Sequence, residues 1–130
     1  MRALHLLLLL PAFMLTGCYT STLAPGAKGQ VIDSATGAPL PNAHITRLPF
    51  ERSIGQQVPA ATISSDRHGS FDLPPVSSTQ IAFMYLSNPH AMTGTFLVSA
   101  DGYTTNRLEG VATSRSRWRA RLGSVTLERL

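Results

Sequence analysis

Several groups of side chains in this sequence have types or spacing that invite chemistry. Ser65, Asp66, Arg67 and His68 put a hydroxyl, a carboxylate and an imidazole in one short segment, the components of nucleophilic acyl transfer. Neighbours in sequence do not form a triad, however, and no G-x-S-x-G accompanies them. His44, His68 and His90 show no H-x-H or H-x-x-x-H spacing. Met84, His90 and Met92 have the soft donors that copper would accept, but Met84 is better explained as core. Paired carboxylates and a phosphate-cradling glycine loop are both missing from the sequence. The residues therefore imply no enzyme, no metal and no cofactor. Arg115, Arg117, Arg119 and Arg121 alternate with Ser116, Trp118, Ala120 and Leu122. At strand period the four arginines share one face and could bind phosphate or carboxylate groups on lipopolysaccharide, phospholipid or an acidic partner. The same pattern would serve an edge strand whose charged outer face blocks sheet-to-sheet association. Trp118 and Leu122 already explain the strand as core-facing, which favours that plainer use. Cys18 is the only thiol in 130 residues, so no disulfide can form within the chain.

Cys18 follows a recognisable leader. Met1-Arg2 supplies a short positive segment, and residues 6–14 form an apolar run. About a dozen residues suit an export signal and fall short of the roughly 20 needed to span a bilayer. The run ends in Leu15-Thr16-Gly17-Cys18 rather than an A-x-A-like site. This tetrad resembles the lipobox of bacterial lipoproteins. The resemblance implies cleavage before Cys18 by signal peptidase II, a diacylglyceryl thioether on its sulfur, and acyl chains such as palmitate. Each buried CH₂ contributes about 0.8 kcal/mol, and one chain holds only marginally; the two or three chains of a mature lipoprotein would hold permanently. Tyr19 stands where an Asp usually signals inner-membrane retention, so the outer membrane is expected, with the domain on its periplasmic face.

This divides the chain into a helical lipoprotein signal peptide (residues 1–17), a tether (residues 18–27, closed by Pro25-Gly26) and a domain (residues 28–130). Cleavage leaves 113 residues, enough for one hydrophobic core. The formal charge of +4 falls to +3 with the loss of Arg2. A basic balance favours anionic surfaces, and the expected compartment offers no nucleic-acid partner.

Within the domain, Gly and Pro recur at short intervals, and no apolar stripe of helical period is sustained. Short alternating runs predict strands at residues 29–33, 43–48, 61–65, 70–73, 80–86, 95–100 and 124–130. Segments 61–65 and 70–73 are expected to form a hairpin across Asp66-Arg67-His68-Gly69, and residues 49–60 a loop. Seven strands of this size imply an all-β, antiparallel β-sandwich.

The landmarks run Gly29-x-Val31-x-Asp33-x-x-Thr36-Gly37-x-Pro39-Leu40-Pro41-x-Ala43-x-Ile45, then Thr62-x-Ser64-x-Asp66-x-x-Gly69-x-Phe71-x-Leu73. Phe96-x-Val98-x-Ala100-x-Gly102-Tyr103 and Val125-x-Leu127 follow. Together they resemble the carboxypeptidase regulatory-like domain, a transthyretin-like (immunoglobulin-like) β-sandwich found in bacterial envelope proteins. In physical terms, Gly37 and Gly69 suit positive φ at turns. Asp33 and Asp66 suit turn capping, and Tyr103 suits an inward ring with its hydroxyl on a backbone partner. The segments at residues 49–60 and 86–94 are longer than the plainest members need. The resemblance implies a non-catalytic binding or structural module that holds a protein or glycan partner in the envelope. A subunit of an envelope machine such as a secretion system is the alternative, and a small hydrolase or metal-binding protein is a more distant one. A ureide hydrolase shares the fold, but its Tyr-Arg-Gly-Ser ending is replaced here by Thr126-Leu127-Glu128-Arg129-Leu130.

Overall fold

The computed structural model describes residues 18–51, 57–81 and 90–130. In chain order its strands are β1 (Cys18–Ala24), β2 (Gly26–Asp33), β3 (His44–Arg47), β4 (Phe50–Glu51), β5 (Gln57–Val58) and β6 (Ala61–Ser64). They continue with β7 (Ser70–Leu73), β8 (Val76–Ile81), β9 (Ala91–Ser99), β10 (Asn106–Thr113) and β11 (Arg119–Leu127). A short 3₁₀ turn, Ser114–Ser116, links β10 to β11. The described residues contain no α-helix, and no helix is long and apolar enough to cross a membrane. The expected signal peptide, residues 1–17, lies outside them.

Period-two alternation produces two packed sheets. Strand β7 alternates exposed and buried, and β9 turns Met92, Phe96 and Val98 inward. One sheet has the order β10-β9-β3-β6 and the other β11-β2-β7. Ile45, Phe96 and Val98 of the first meet Ala27, Val31, Phe71, Leu73, Val125 and Leu127 of the second in one core. Each fully buried large side chain there contributes roughly 1.5–3 kcal/mol. Two further pairs, β1 with β8 and β4 with β5, form two-stranded ribbons outside these sheets.

The all-β expectation holds, but the count does not: the described residues form eleven strands where seven were expected. The additional pairs lie in the segments read as tether and loop. Residues 18–24 are strand β1, in register with Val76–Ile81, because their polar backbone finds an antiparallel partner. The 49–60 segment contributes β4 and β5, with residues 52–56 outside the described set. Of the strand expected at 80–86, Gln80 and Ile81 belong to β8, and residues 82–89, including Met84, lie outside the described set. Strand β10 was not anticipated, since Arg107, Glu109 and Gly110 interrupt its apolar pattern.

Two pairings also differ. Strands β6 and β7 belong to different sheets, so the 66–69 turn is a corner and not a hairpin. Its local chemistry is as expected: Asp66 Oδ1 accepts the His68 and Ser70 amides at 2.8 and 3.0 Å, and Gly69 has φ of 72°. What makes it a corner is a non-local bond, from the Val31 amide to the Gly69 carbonyl at 2.8 Å. The second difference is that β11 runs parallel to β2, from Arg119 opposite Gly26 to Leu127 opposite Asp33. The chain enters β11 from the other sheet, free of the hairpin constraint that imposes antiparallel pairing.

Candidate anion-binding site

The four arginines do not form one continuous strand face. Arg115 lies in the 3₁₀ turn, Arg117 and Trp118 take the left-handed region with φ of 54° and 58°, and only Arg119 and Arg121 lie on β11. Non-glycine residues in that conformation carry a cost, which the surrounding bonds offset. The Arg117 amide reaches the Ser114 carbonyl at 3.1 Å, and the Trp118 amide the Thr113 carbonyl at 2.8 Å. Ser116 Oγ both donates to the Thr113 carbonyl and accepts from its amide. The Trp118 carbonyl accepts the Gly26 amide at 2.8 Å, stapling the turn to β2. Gly26 is required there because a Cβ would overlap the Leu73 carbonyl oxygen.

This reversal gathers the stripe into a basin instead of dispersing it. Arg115, Ser116, Arg117, Arg119 and Arg121 line a concavity of about 300 Å³ together with Lys28 and Asp72. Sheet register places the last two. Arg121 stands opposite Lys28, and Lys28 opposite Asp72, in one exposed row across β11, β2 and β7. Asp72 pairs with Arg119 Nε at 2.5 Å, and Arg119 also donates to the Arg117 carbonyl at 3.3 Å. Five cations thus surround one carboxylate, with Arg121 and Lys28 as adjacent like charges. Such pairs repel, and an anion between them would relieve that repulsion. The arrangement is suited to binding a multiply charged anion through guanidinium forks. Because β11 also forms the edge of its sheet, edge protection and anion binding can share these residues.

Neither Lys28 nor Asp72 was among the expected site residues, because only the β11–β2–β7 register brings them to the arginines. The other sequence candidates do not converge. Ser65 is buried, donating to the Leu40 carbonyl at 2.7 Å and accepting the Ala43 amide at 2.9 Å. With Asp66 capping the corner, the Ser65–His68 segment is turn architecture. His44, His68 and His90 are exposed on separate elements, and Met92 is core. Among the described residues no three His, Cys, Asp or Glu side chains cluster as metal ligands. Cys18 opens β1, opposite Ile81.

Two polar features outside the basin are structural. Asp33 Oδ1 accepts the Ala35 and Thr36 amides at 2.8 and 3.1 Å, as its turn-capping role required. Its Oδ2 receives the Tyr103 hydroxyl, so that hydroxyl has a side-chain partner rather than the expected backbone one. Led by that bond, and against the opposing effect of desolvation, these contacts hold the Asp33 carboxyl down to about 2. Arg47, at the inner end of β3, is 1% exposed. Its Nη1 donates to the Pro25 carbonyl at 3.2 Å, while Nε has no partner. Burial lowers its proton affinity.

No protein-family model and no curated protein matches this chain. Among solved structures it is similar to 3-chlorocatechol 1,2-dioxygenase from Rhodococcus opacus 1CP, with a TM-score of 0.51 and 12% identity. The likeness covers 88% of this chain, which spans 61% of the dioxygenase chain. At that identity the two share β-architecture, and the comparison carries nothing further.

Proposed function

We propose that this chain is a membrane-anchored lipoprotein of the bacterial cell envelope, whose β-sandwich is a non-catalytic binding or structural module. The observation that carries the reading is Leu15-Thr16-Gly17-Cys18 behind a short apolar run. Lipidation also accounts for an unpaired thiol in an exported chain.

Seven of the strands make the two packed sheets, which supports a sandwich of the carboxypeptidase regulatory-like, transthyretin-like type. Its landmark residues serve turns and core: Asp33 and Asp66 cap, Gly37 and Gly69 reverse the chain, and Val31, Phe71, Phe96 and Leu127 pack. The basin is then the surface best suited to hold an anionic group of an envelope partner. With Tyr19 after the Cys, the outer membrane is the proposed site, with the domain on the periplasmic face.

The test is metabolic labelling with palmitate in a bacterial host. Wild-type chain should incorporate label and lose residues 1–17, whereas Cys18→Ser should do neither. Label retained in the serine variant, or absent from wild type, would refute the lipid anchor.

A further inference from the structure

We propose that the basin of Lys28, Arg115, Arg117 and Arg121 binds the phosphodiester headgroup of an anionic phospholipid, seating the domain on the membrane surface. The placement argument rests on the reading of Cys18 as the lipid-bearing residue.

The first observation is position. Arg119 pairs in register with Gly26, and only Pro25 separates Gly26 from the end of β1. The basin therefore sits at the end of the sandwich where the β1–β8 ribbon departs. From Ala24 back to Cys18, strand β1 covers about 20 Å, so the anchor joins the domain at the basin's end of the sandwich. The acyl chains on Cys18 hold the chain in the bilayer, and a basic patch would set how the domain lies on its surface. Each cation near an anionic surface contributes about 1 kcal/mol.

Charge is the second observation. Asp72 neutralises Arg119, but no other carboxylate lines the hollow. Lys28, Arg115, Arg117 and Arg121 are exposed and lack ion-pair partners among the described residues. Lys28 and Arg121 face each other directly in register.

The third observation favours an amphiphile over a free anion. Arg115, Ser116 and Arg121 also line an adjoining hollow of about 270 Å³, whose other walls are Val111 and Thr113. Val111 is 57% exposed, and Leu130 is the only other large hydrophobic so exposed among the described residues. Trp118 is half-buried between Arg117 and Arg119. Cations and an exposed aliphatic side chain on adjoining walls match a lipid headgroup and the first carbons below it.

Trp118 is the only tryptophan in the chain and stands in sequence between two arginines of the basin, Arg117 and Arg119. The full chain is reconstituted in phosphatidylcholine vesicles with increasing fractions of phosphatidylglycerol, and Trp118 emission and acrylamide quenching are followed. We expect a saturable blue shift and protection that depend on phosphatidylglycerol and fade as salt approaches ~0.5 M. Inorganic phosphate added to pure phosphatidylcholine vesicles should not reproduce them. Replacing Arg115, Arg117 and Arg121 with Gln should weaken the response about a hundredfold, while the matching Lys variant keeps most of it. An equal response in neutral vesicles, or one unchanged in the Gln variant, overturns the site. A full response to inorganic phosphate overturns the lipid as its ligand. These results are independent of the palmitate labelling: loss of label with an intact phosphatidylglycerol response removes the anchor and leaves the basin.

Discussion

The Tyr103 hydroxyl donates a 2.7 Å hydrogen bond to Oδ2 of Asp33, seventy residues earlier in the chain. Arg129 Nε approaches the same oxygen at 3.2 Å, and its guanidinium lies 5.9 Å from the centre of the Tyr103 ring. One buried carboxylate thus joins the end of β2, the turn after β9 and the C-terminal segment.

That clasp sets a pH dependence. Asp33 is held at about 2, below the ~3.9 of an unfolded aspartate. A lowered folded value means stability that is present above the unfolded value and lost as pH falls toward the folded one. Tyr103→Phe removes the largest cause of the shift. We expect it to lower the urea midpoint at pH 7 and to raise the pH of acid unfolding. Below about pH 2 the difference from wild type should vanish, because the carboxylate is then protonated in both. A difference independent of pH would mean that the hydroxyl acts through packing alone.

Arg47 is a cation in the core. All seven Asp and Glu residues lie within the described residues, and none is paired with it. Replacing buried charge with an apolar side chain of similar volume is often neutral or stabilising by about 1–4 kcal/mol. The Pro25 carbonyl would lose a donor, which costs about 1–3 kcal/mol. Arg47→Met should therefore leave unfolding free energy within about 1 kcal/mol of wild type. A loss of about 3 kcal/mol or more would show that the guanidinium's bond to the Pro25 carbonyl and its packing outweigh the relief of buried charge.

Gly26 is set too tightly against Leu73 for any side chain. Gly26→Ala must push β2 away from β7 and strain the bond that holds Trp118. We expect a loss of about 2–4 kcal/mol in chemical denaturation. A near-neutral result would show that the β2–β7 contact relaxes freely.

Asp72 is half-exposed, and its pair with Arg119 is a surface ion pair. Asp72→Asn should change stability by less than about 1 kcal/mol. It should also free a fifth cation and tighten binding of phosphatidylglycerol vesicles to the basin, severalfold at low salt. Weaker binding would mean that Asp72 holds Arg119 in its binding orientation.

Local turn chemistry was legible from residue types. Asp33 with Gly37, and Asp66 with Gly69, form the capped reversals their spacing implies, because an Asp side chain and its nearby amides lie within a few residues of each other. The alternation of Ser70–Leu73 and the inward Phe96 and Val98 were equally readable. Arg47 was not, since a charged strand residue ordinarily points to solvent and nothing nearby in sequence marks this one as buried. Nor does Ser114-Arg115-Ser116-Arg117-Trp118 contain a glycine to announce a left-handed reversal.

The sequence by itself determined an all-β chain and the turns that punctuate it. These follow from residue type and spacing over short distances. Only the tertiary structure decided which strands pair, that the Asp66 turn crosses between sheets, and that β11 lies parallel to β2. It also decided that Lys28 and Asp72 join the arginines in one basin. Strand pairing depends on backbone partners tens of residues away, and the register they settle into places each outward side chain beside its neighbour.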